Sequence, residues 1–157
     1  MMKKLIFTCS AIQANHTFNP INTKLGDNFS PTFTFSNLCP EAKSIAIILE
    51  DLSHPLIHNF THWLIWNLPA TQTIQGKITP GKHLPSLQAK QGIAYGWHKY
   101  AGPKPPLNHT HTYQFTVYAL NCRLKLSSNT TKKKLLKVCQ NKIIQSGKIT
   151  ATFTRKK

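Results

Sequence analysis

Five segments of the chain either alternate apolar and polar residues or are apolar throughout, and turn-forming residues separate them. Residues 113–120 alternate cleanly and place Tyr113 and Phe115 on one face, which is typical of a strand covered on one side. Residues 44–50 and 63–68 are apolar almost throughout, as expected of strands buried on both faces. The pattern therefore predicts strands at 33–36, 44–50, 63–68, 113–120 and 148–154.

One segment, 130–145, has the periodicity of a helix. On a helix, its apolar residues fall within one arc of about 100°, and three lysines lie on the opposite side. The apolar residues are Leu135, Leu136, Cys139 and Ile143, and the lysines are Lys133, Lys134 and Lys137. Ser128 or Asn129 is a candidate N-cap, and Gly147 follows the predicted end. We therefore predict one helix at about 130–145.

Many short strands and a single helix predict an all-β protein in which two antiparallel sheets pack as a sandwich. A length of 157 residues fits one domain spanning 1–157. The segment between 68 and 113 is rich in proline and glycine, so we expect little regular structure there. Long ordered loops in compact domains are often functional, which makes this segment a candidate for part of a site.

The charge of the chain is strongly unbalanced, with 20 Lys and Arg residues against four acids and a formal net charge of +16. This excludes a surface balanced by ion pairs, and such a basic surface can attract nucleic acid or an anionic membrane surface weakly and without specificity. Only Arg123 and Arg155 are arginines, and lysine lacks the forked guanidinium that reads bases, so sequence-specific DNA recognition is not expected. A basic surface that merely aids solubility is the alternative.

Two features of the sequence predict a cytoplasmic protein. The apolar run at the start breaks at Thr8, which is too short for a secretory signal, and no run approaches the ~20 apolar residues of a spanning helix. The four cysteines show no Cys-x-x-Cys spacing. We therefore expect free, partly buried thiols in a reducing compartment.

Polar residues that could support chemistry gather at the ends of predicted strands. Alternation along 44–50 places Asp51 on the core side and Glu50 on the outer side. A carboxylate directed inward needs hydrogen-bond partners, and the imidazoles of His62 and His111 are natural ones. We therefore expect these three side chains to meet.

Two other chemistries were weighed at these positions. His109 and His111 share a face of an extended segment, as a zinc site needs, but no cysteine stands in register and no second His-x-His occurs, so no metal is expected. Asp51, Ser53 and His62 are the residue types of a hydrolase triad, but the chain lacks a Gly-x-Ser-x-Gly elbow. We therefore assign no catalytic residue and expect no cofactor.

Five stretches, taken in order, resemble the motifs of one known family. Three of these motifs are Asn-x-Ser-Pro, Asp-Pro-Asp-x-Pro and His-Trp, and the others are Gly-Pro-x-Pro-Pro and His-Arg-Tyr. The matching stretches are Asn28–Pro31, the strand that ends at Asp51, His62-Trp63, Gly102–Pro106 and His111–Tyr113. In this order and spacing, over nearly the whole chain, the sequence resembles the phosphatidylethanolamine-binding protein family, in its bacterial and archaeal branch related to Raf kinase inhibitor protein.

The resemblance implies a sandwich with Greek-key connections and a small pocket at one end. In that family the pocket holds phosphate, phosphoethanolamine or similar anions. The lining that the resemblance implies here is Asp51, Ser53, Pro55, Phe60, His62, Gly102, Pro105, His111 and Tyr113. Two imidazoles and a tyrosine hydroxyl would donate to the anion, and the carboxylate would orient the imidazoles.

Two departures from the family motifs change this expectation. Leu52 and Ser53 replace a proline and an acid, and the loss of the acid reduces the electrostatic repulsion of anions at the mouth of the pocket. His54 adds a hydrogen-bond donor there. Thr112 replaces an arginine, so a usual cation is missing. Ligand preference therefore does not transfer directly from the family.

The sequence thus predicts a non-enzymatic protein that binds a small phosphate-bearing or other anionic ligand. The first alternative is a protein-interaction inhibitor of kinases or proteases, which would have a protein partner. The second is a phosphoester hydrolase that uses Asp51 and His62. Both a monomer and a homodimer are compatible with the sequence.

Overall fold

The computed structural model describes residues 2–157, which form ten strands, a 3-10 helix at Pro20–Asn22 and one α-helix. The strands of the first half are β1 (Lys3–Lys4), β2 (Phe7–Cys9), β3 (Phe33–Phe35), β4 (Ser44–Asp51) and β5 (Phe60–Pro69). The remaining elements are β6 (Thr73–Ile74), β7 (His83–Leu84), β8 (Ala89–Gln91), β9 (Thr110–Leu120), α1 (Lys132–Cys139) and β10 (Ile143–Thr154).

Two sheets form the sandwich that the sequence predicts. The larger has the strand order β1-β10-β9-β4-β5-β8-β7, and the smaller has the order β2-β3-β6. Neighbouring strands are antiparallel except β1, which pairs in parallel with β10. The prediction of an all-β, two-sheet architecture is confirmed.

The central strand β4 is buried on both faces, which explains its unbroken apolar sequence. Ile45, Ile47 and Leu49 point into the core between the two sheets. Ala46 and Ile48 point to the opposite face of the large sheet, where α1 covers them. Because both faces exclude water, the strand is apolar throughout between Ser44 and Glu50.

The helix is shorter than predicted. Thr131 is its N-cap, with its hydroxyl accepting from Lys134 N, and the last helical residue is Cys139. The predicted end at 145 is wrong, because residues 143–145 begin β10 and pair with the end of β9, at Ala119 and Leu120. The predicted faces of the helical part are confirmed, since Leu135 and Cys139 are buried and three lysines, Lys133, Lys134 and Lys137, are exposed.

The outward position predicted for Glu50 is only half right. The side chains of Glu50 and Asp51 point to opposite faces of the large sheet. Glu50 is nevertheless buried, because the start of α1 covers its face. Lys132 donates from Nζ to Glu50 Oε2 and to Asn59 O. The carboxylate therefore serves to hold the helix against the sheet.

The segment between β5 and β9 contains only the short strands β6, β7 and β8, in agreement with the prediction of little regular structure. All four cysteines are free thiols, and Cys9 and Cys139 are buried. Within residues 2–157, no helix has the length and apolar character needed to span a bilayer.

Candidate functional site

Three strand ends meet at one edge of the large sheet. Asp51 ends β4 and pairs with Phe60 near the start of β5 on one side and with Tyr113 near the start of β9 on the other. Because β4 is antiparallel to both neighbours, its C-terminal end necessarily meets their N-terminal ends. Asp51 and Tyr113, which are far apart in the sequence, are brought together in this way.

A cavity of about 410 Å³ opens at this edge. Of the nine residues that the resemblance implies for the site, it is lined by Asp51, Pro55, Phe60, His62, Pro105, His111 and Tyr113. Ser53 and Gly102 do not line it. The structure thus brings seven of these side chains to one concavity and gives the other two a different position.

Asp51 is tied to His111. His111 Nδ1 donates to Asp51 Oδ2 at 2.7 Å, and both side chains are buried. The other carboxylate oxygen, Oδ1, accepts from Ser53 N at 2.8 Å. Both oxygens of the carboxylate therefore have partners within the protein, and the imidazole is held in one orientation.

Ser53 shapes the turn after β4. Its side chain is exposed, and its Oγ accepts from Thr112 N at 2.9 Å. The residue that replaces the family's second acid thus bridges β4 and β9 outside the cavity. The structure does not place Ser53 in the lining, because its hydroxyl is held at Thr112 N, outside the cavity.

His62 has a different partner from the one expected. Its Nδ1 lies 2.8 Å from Ala101 O, and since a carbonyl oxygen only accepts, Nδ1 carries the proton. Burial holds the pKa of His62 below its ordinary value of 6.5, and the bond to Ala101 and the charge of Asp51 offset only part of this effect. The neutral ring therefore offers Nε2 to the cavity as an acceptor.

Tyr113 carries a buried hydroxyl without a partner. Within residues 2–157 its Oη is inaccessible and has no hydrogen bond, although the side chain lines the cavity. The ring is held edge-to-face by Phe18 and His62, at centroid distances of 5.8 Å and 5.5 Å. Burial, together with the charge of Asp51, raises the pKa of Tyr113, so its hydroxyl is a donor at neutral pH.

Gly102 supports the wall of the cavity from behind. Its N donates to Asn28 Oδ1 at 2.8 Å, and a Cβ at this position would lie 2.1 Å from Asn22 O. The loop that carries Ala101 and Pro105 therefore packs directly on the N-terminal segment. The sequence predicts Gly102 as a lining residue. In the structure it lies outside the lining, and its lack of a side chain allows the two backbone segments to approach each other closely.

Sequence reasoning missed several lining residues. The cavity is also lined by His54, Leu56, Tyr95, Lys104, Pro106 and Arg155. Lys104 and Pro106 belong to a motif already singled out, and His54 stands in the turn after β4. Tyr95 and Arg155 carry no motif signal.

Arg155 supplies a cation from the far end of the chain. Pairing of β9 with β10 sets Thr154 opposite Thr110, and the next residue continues beside β9, with Arg155 N donating to His109 O. The two ion pairs of residues 2–157 are those of Asp51 and Glu50, so Arg155 has no carboxylate partner there. Arg155 is therefore a cation at the cavity that the sequence motifs do not predict.

Within residues 2–157, the cavity does not hold a nucleophile against a base. The carboxylate of Asp51 contacts His111 and not His62, and Ser53 Oγ makes its hydrogen bond with Thr112 N. In the described part of the chain, no three His, Cys, Asp or Glu side chains are grouped as a metal site requires.

The buried state of His62 makes stability depend on pH. A histidine whose pKa is lower in the folded than in the unfolded chain binds fewer protons when folded. We therefore expect the contribution of His62 to the free energy of unfolding to be constant above pH 6.5. Below that value, the free energy of unfolding should fall as the pH drops. Urea denaturation between pH 8 and about pH 5 measures this slope.

The matched variants are His62→Gln and His83→Gln. The amide of a glutamine can donate to Ala101 O but does not titrate, so His62→Gln should flatten the slope below pH 6.5. His83 is exposed on β7, so His83→Gln should keep the wild-type slope. Equal slopes in all three proteins would contradict the role of His62.

Comparison with known proteins agrees with this architecture. Residues 8–154 match the sequence profile of the family described as phosphatidylethanolamine-binding protein. A UPF0098 protein of Pyrococcus horikoshii is 32% identical over 162 aligned positions, which cover 98% of this chain and 79% of the relative. YbcL of Escherichia coli, also a UPF0098 protein, is 29% identical over 131 positions, covering 80% of this chain and 71% of the relative.

Two crystal structures share the fold. A phosphatidylethanolamine-binding protein homologue of Chlamydia trachomatis, CT736, superimposes with a TM-score of 0.82 at 25% identity, covering 98% of this chain and 99% of its own. Escherichia coli YbcL superimposes with a TM-score of 0.81 at 23% identity, covering 96% and 98% of the two chains. With its profile match over nearly the whole length, the chain belongs to the phosphatidylethanolamine-binding protein family.

Proposed function

We propose that the protein binds a small ligand through a phosphate group held in the cavity at the end of the sandwich. The observation that carries this proposal is that two cations, Lys104 and Arg155, and two imidazoles, those of His62 and His111, line one cavity. The family to which the chain belongs is named for a phospholipid, which agrees with such a ligand.

The charges around the cavity favour an anion. Lys104 and Arg155 line it, and neither is in an ion pair within residues 2–157. Asp51 is the acid in the lining, and both of its oxygens already accept hydrogen bonds. Two free cations therefore face one carboxylate whose acceptors are occupied.

The two histidines complete a set of groups suited to phosphate. His111 is engaged at Nδ1, which leaves Nε2 for a ligand. His62 presents Nε2 as an acceptor while neutral, so it matches the P–OH of a monoprotonated phosphate, and it becomes a donor once protonated. The leucine and proline side chains at the mouth, Leu56, Pro55, Pro105 and Pro106, form an apolar rim around these groups.

Non-enzymatic binding fits this geometry better than hydrolysis does, because no nucleophile is held against a base. Assaying the protein on a panel of aryl phosphates tests this directly. Turnover by the wild type that is lost in His62→Ala would favour a hydrolase.

Inhibition of kinases or proteases remains a separate hypothesis. Weak binding to nucleic acid or membrane surfaces through the lysines is another.

Titration with inorganic phosphate tests the proposal, with the ring resonances of the histidines as the readout. We expect the signals of His62 and His111 to move with the same dissociation constant, because both rings line the cavity. His111→Ala should weaken binding about tenfold, since it removes one hydrogen bond to a charged ligand.

His109→Ala is the matched control. His109 is exposed and two residues from His111, but it does not line the cavity, so phosphate affinity should stay within about twofold of wild type. Unmoved resonances of His62 and His111 at millimolar phosphate would refute the proposed function.

A further inference from the structure

A second concavity adjoins the anion cavity. It is a shallow groove of about 510 Å³, and its lining includes Ile57, Phe60, Ala94, Tyr95, Trp97 and Lys132. The proposed function uses none of its distinctive residues.

The groove and the cavity adjoin each other at two shared residues. Phe60 and Tyr95 line both, and their ring centroids lie 5.5 Å apart. The two rings form a common wall, so a group attached to a bound phosphate can extend along it into the groove. Leu56, which lines the cavity and is 89% exposed, extends the apolar surface at the mouth.

The groove is suited to an apolar group. Trp97 is 65% exposed, Ile57 49% and Tyr95 42%, which is unusual for large apolar side chains gathered at one place. The lysine in the lining, Lys132, is compensated, because its ammonium pairs with Glu50 and donates to Asn59 O. The groove therefore differs in chemistry from the cavity beside it, where the cations are free.

Trp97 is held in a strained backbone conformation. Its φ is 49°, in the left-handed region that a bulky residue seldom adopts, and the next residue, His98, has a φ of 64°. Trp97 N donates to Ala94 O and Gly81 N donates to His98 O, so the turn is hydrogen-bonded on both sides. Strain of this kind persists only where the surrounding structure imposes it.

We propose that the groove binds the apolar substituent of the ligand whose phosphate occupies the cavity. The ligand class is then a phosphate monoester that carries an alkyl or aryl group, and not free phosphate. This inference rests on the proposed function, and it adds Ile57 and Trp97 as residues that determine specificity.

Affinity for inorganic, methyl, ethyl and butyl phosphate, measured by calorimetry, tests the inference. Full burial of one methylene corresponds to about a fourfold gain in affinity, so half burial in an open groove corresponds to about twofold. Butyl phosphate should therefore bind about eightfold more tightly than methyl phosphate. Trp63 and Trp66 are fully buried, so iodide quenches the emission of Trp97, and butyl phosphate should protect it.

Ile57→Ser and Ile6→Ser are matched variants, since the two isoleucines are 49% and 53% exposed. Ile57→Ser should cut the preference for butyl over methyl phosphate at least twofold while methyl phosphate binds as before, and Ile6→Ser should change neither. Equal affinities along the series, or a Trp97 that butyl phosphate leaves quenchable, would overturn this inference alone. Failure of all four compounds to bind would overturn the proposed function and this inference together.

Discussion

Replacing Gly102 by alanine is expected to lower the free energy of unfolding by about 3 kcal/mol, because the added methyl overpacks a contact between two backbones. The new Cβ would lie 2.1 Å from Asn22 O and 2.9 Å from Thr23 Cα, and neither is the mobile end of a side chain. Asn22 O also accepts from Tyr100 Oη at 2.6 Å, so moving it away breaks a buried hydrogen bond. Urea denaturation measures the loss.

The same substitution should also damage the cavity. The loop that Gly102 anchors carries Ala101 O, the acceptor for His62, and Pro105, which lines the cavity. We therefore expect weaker phosphate binding in whatever fraction of the variant remains folded. Gly81→Ala is the control, because its Cβ would meet only His83 O, at 3.6 Å. Its expected loss in the free energy of unfolding comes from the backbone strain of a φ of 138° and is about 1 kcal/mol. Similar losses at the two positions would contradict the steric explanation.

Arg155→Gln is expected to weaken phosphate binding about thirtyfold, which corresponds to about 2 kcal/mol for a charge-assisted hydrogen bond. The guanidinium lines the cavity and has no carboxylate partner within residues 2–157, so its charge is available to the ligand. Calorimetric titration of wild type and variant with phosphate gives the ratio of dissociation constants.

Lys157→Gln separates this local effect from the general attraction of a basic protein. Both changes lower the net charge of +16 by one, but Lys157 is exposed and does not line the cavity. Its removal should change affinity less than twofold at 0.15 M salt, because an exposed charge that makes no contact with the ligand is screened by solvent and salt. Equal losses in the two variants would show that Arg155 acts only through the net charge.

Local patterns were sufficient to predict the strands that carry the site. Alternation along β4 and β9 correctly placed Asp51 and Tyr113 on the inner face, because side-chain direction in a strand has a period of two. The helix was predicted to end six residues too late, since residues 140–145 fit the apolar stripe of a helix as well as they fit a strand. Pairing with β9 decided between the two, and no local pattern encodes that pairing.

Motif positions identified the neighbourhood of the candidate site but not the part that each residue plays in it. Ser53 and Gly102 stand in motifs, yet one bridges two strands and the other relieves a steric contact. Arg155 stands in no motif and lines the cavity. A sequence pattern records which residue types occur, whereas the contact each one makes depends on the register between distant segments.

By itself, the sequence determined the two-sheet architecture, the positions of the main strands along the chain, the family and the excess of positive charge. Those properties follow from composition and from patterns a few residues long. The tertiary structure decided that Asp51 pairs with His111 and not with His62, that His62 donates to Ala101 and that Arg155 reaches the cavity. Each of these contacts joins segments about 40 or more positions apart, so strand register and loop packing set them.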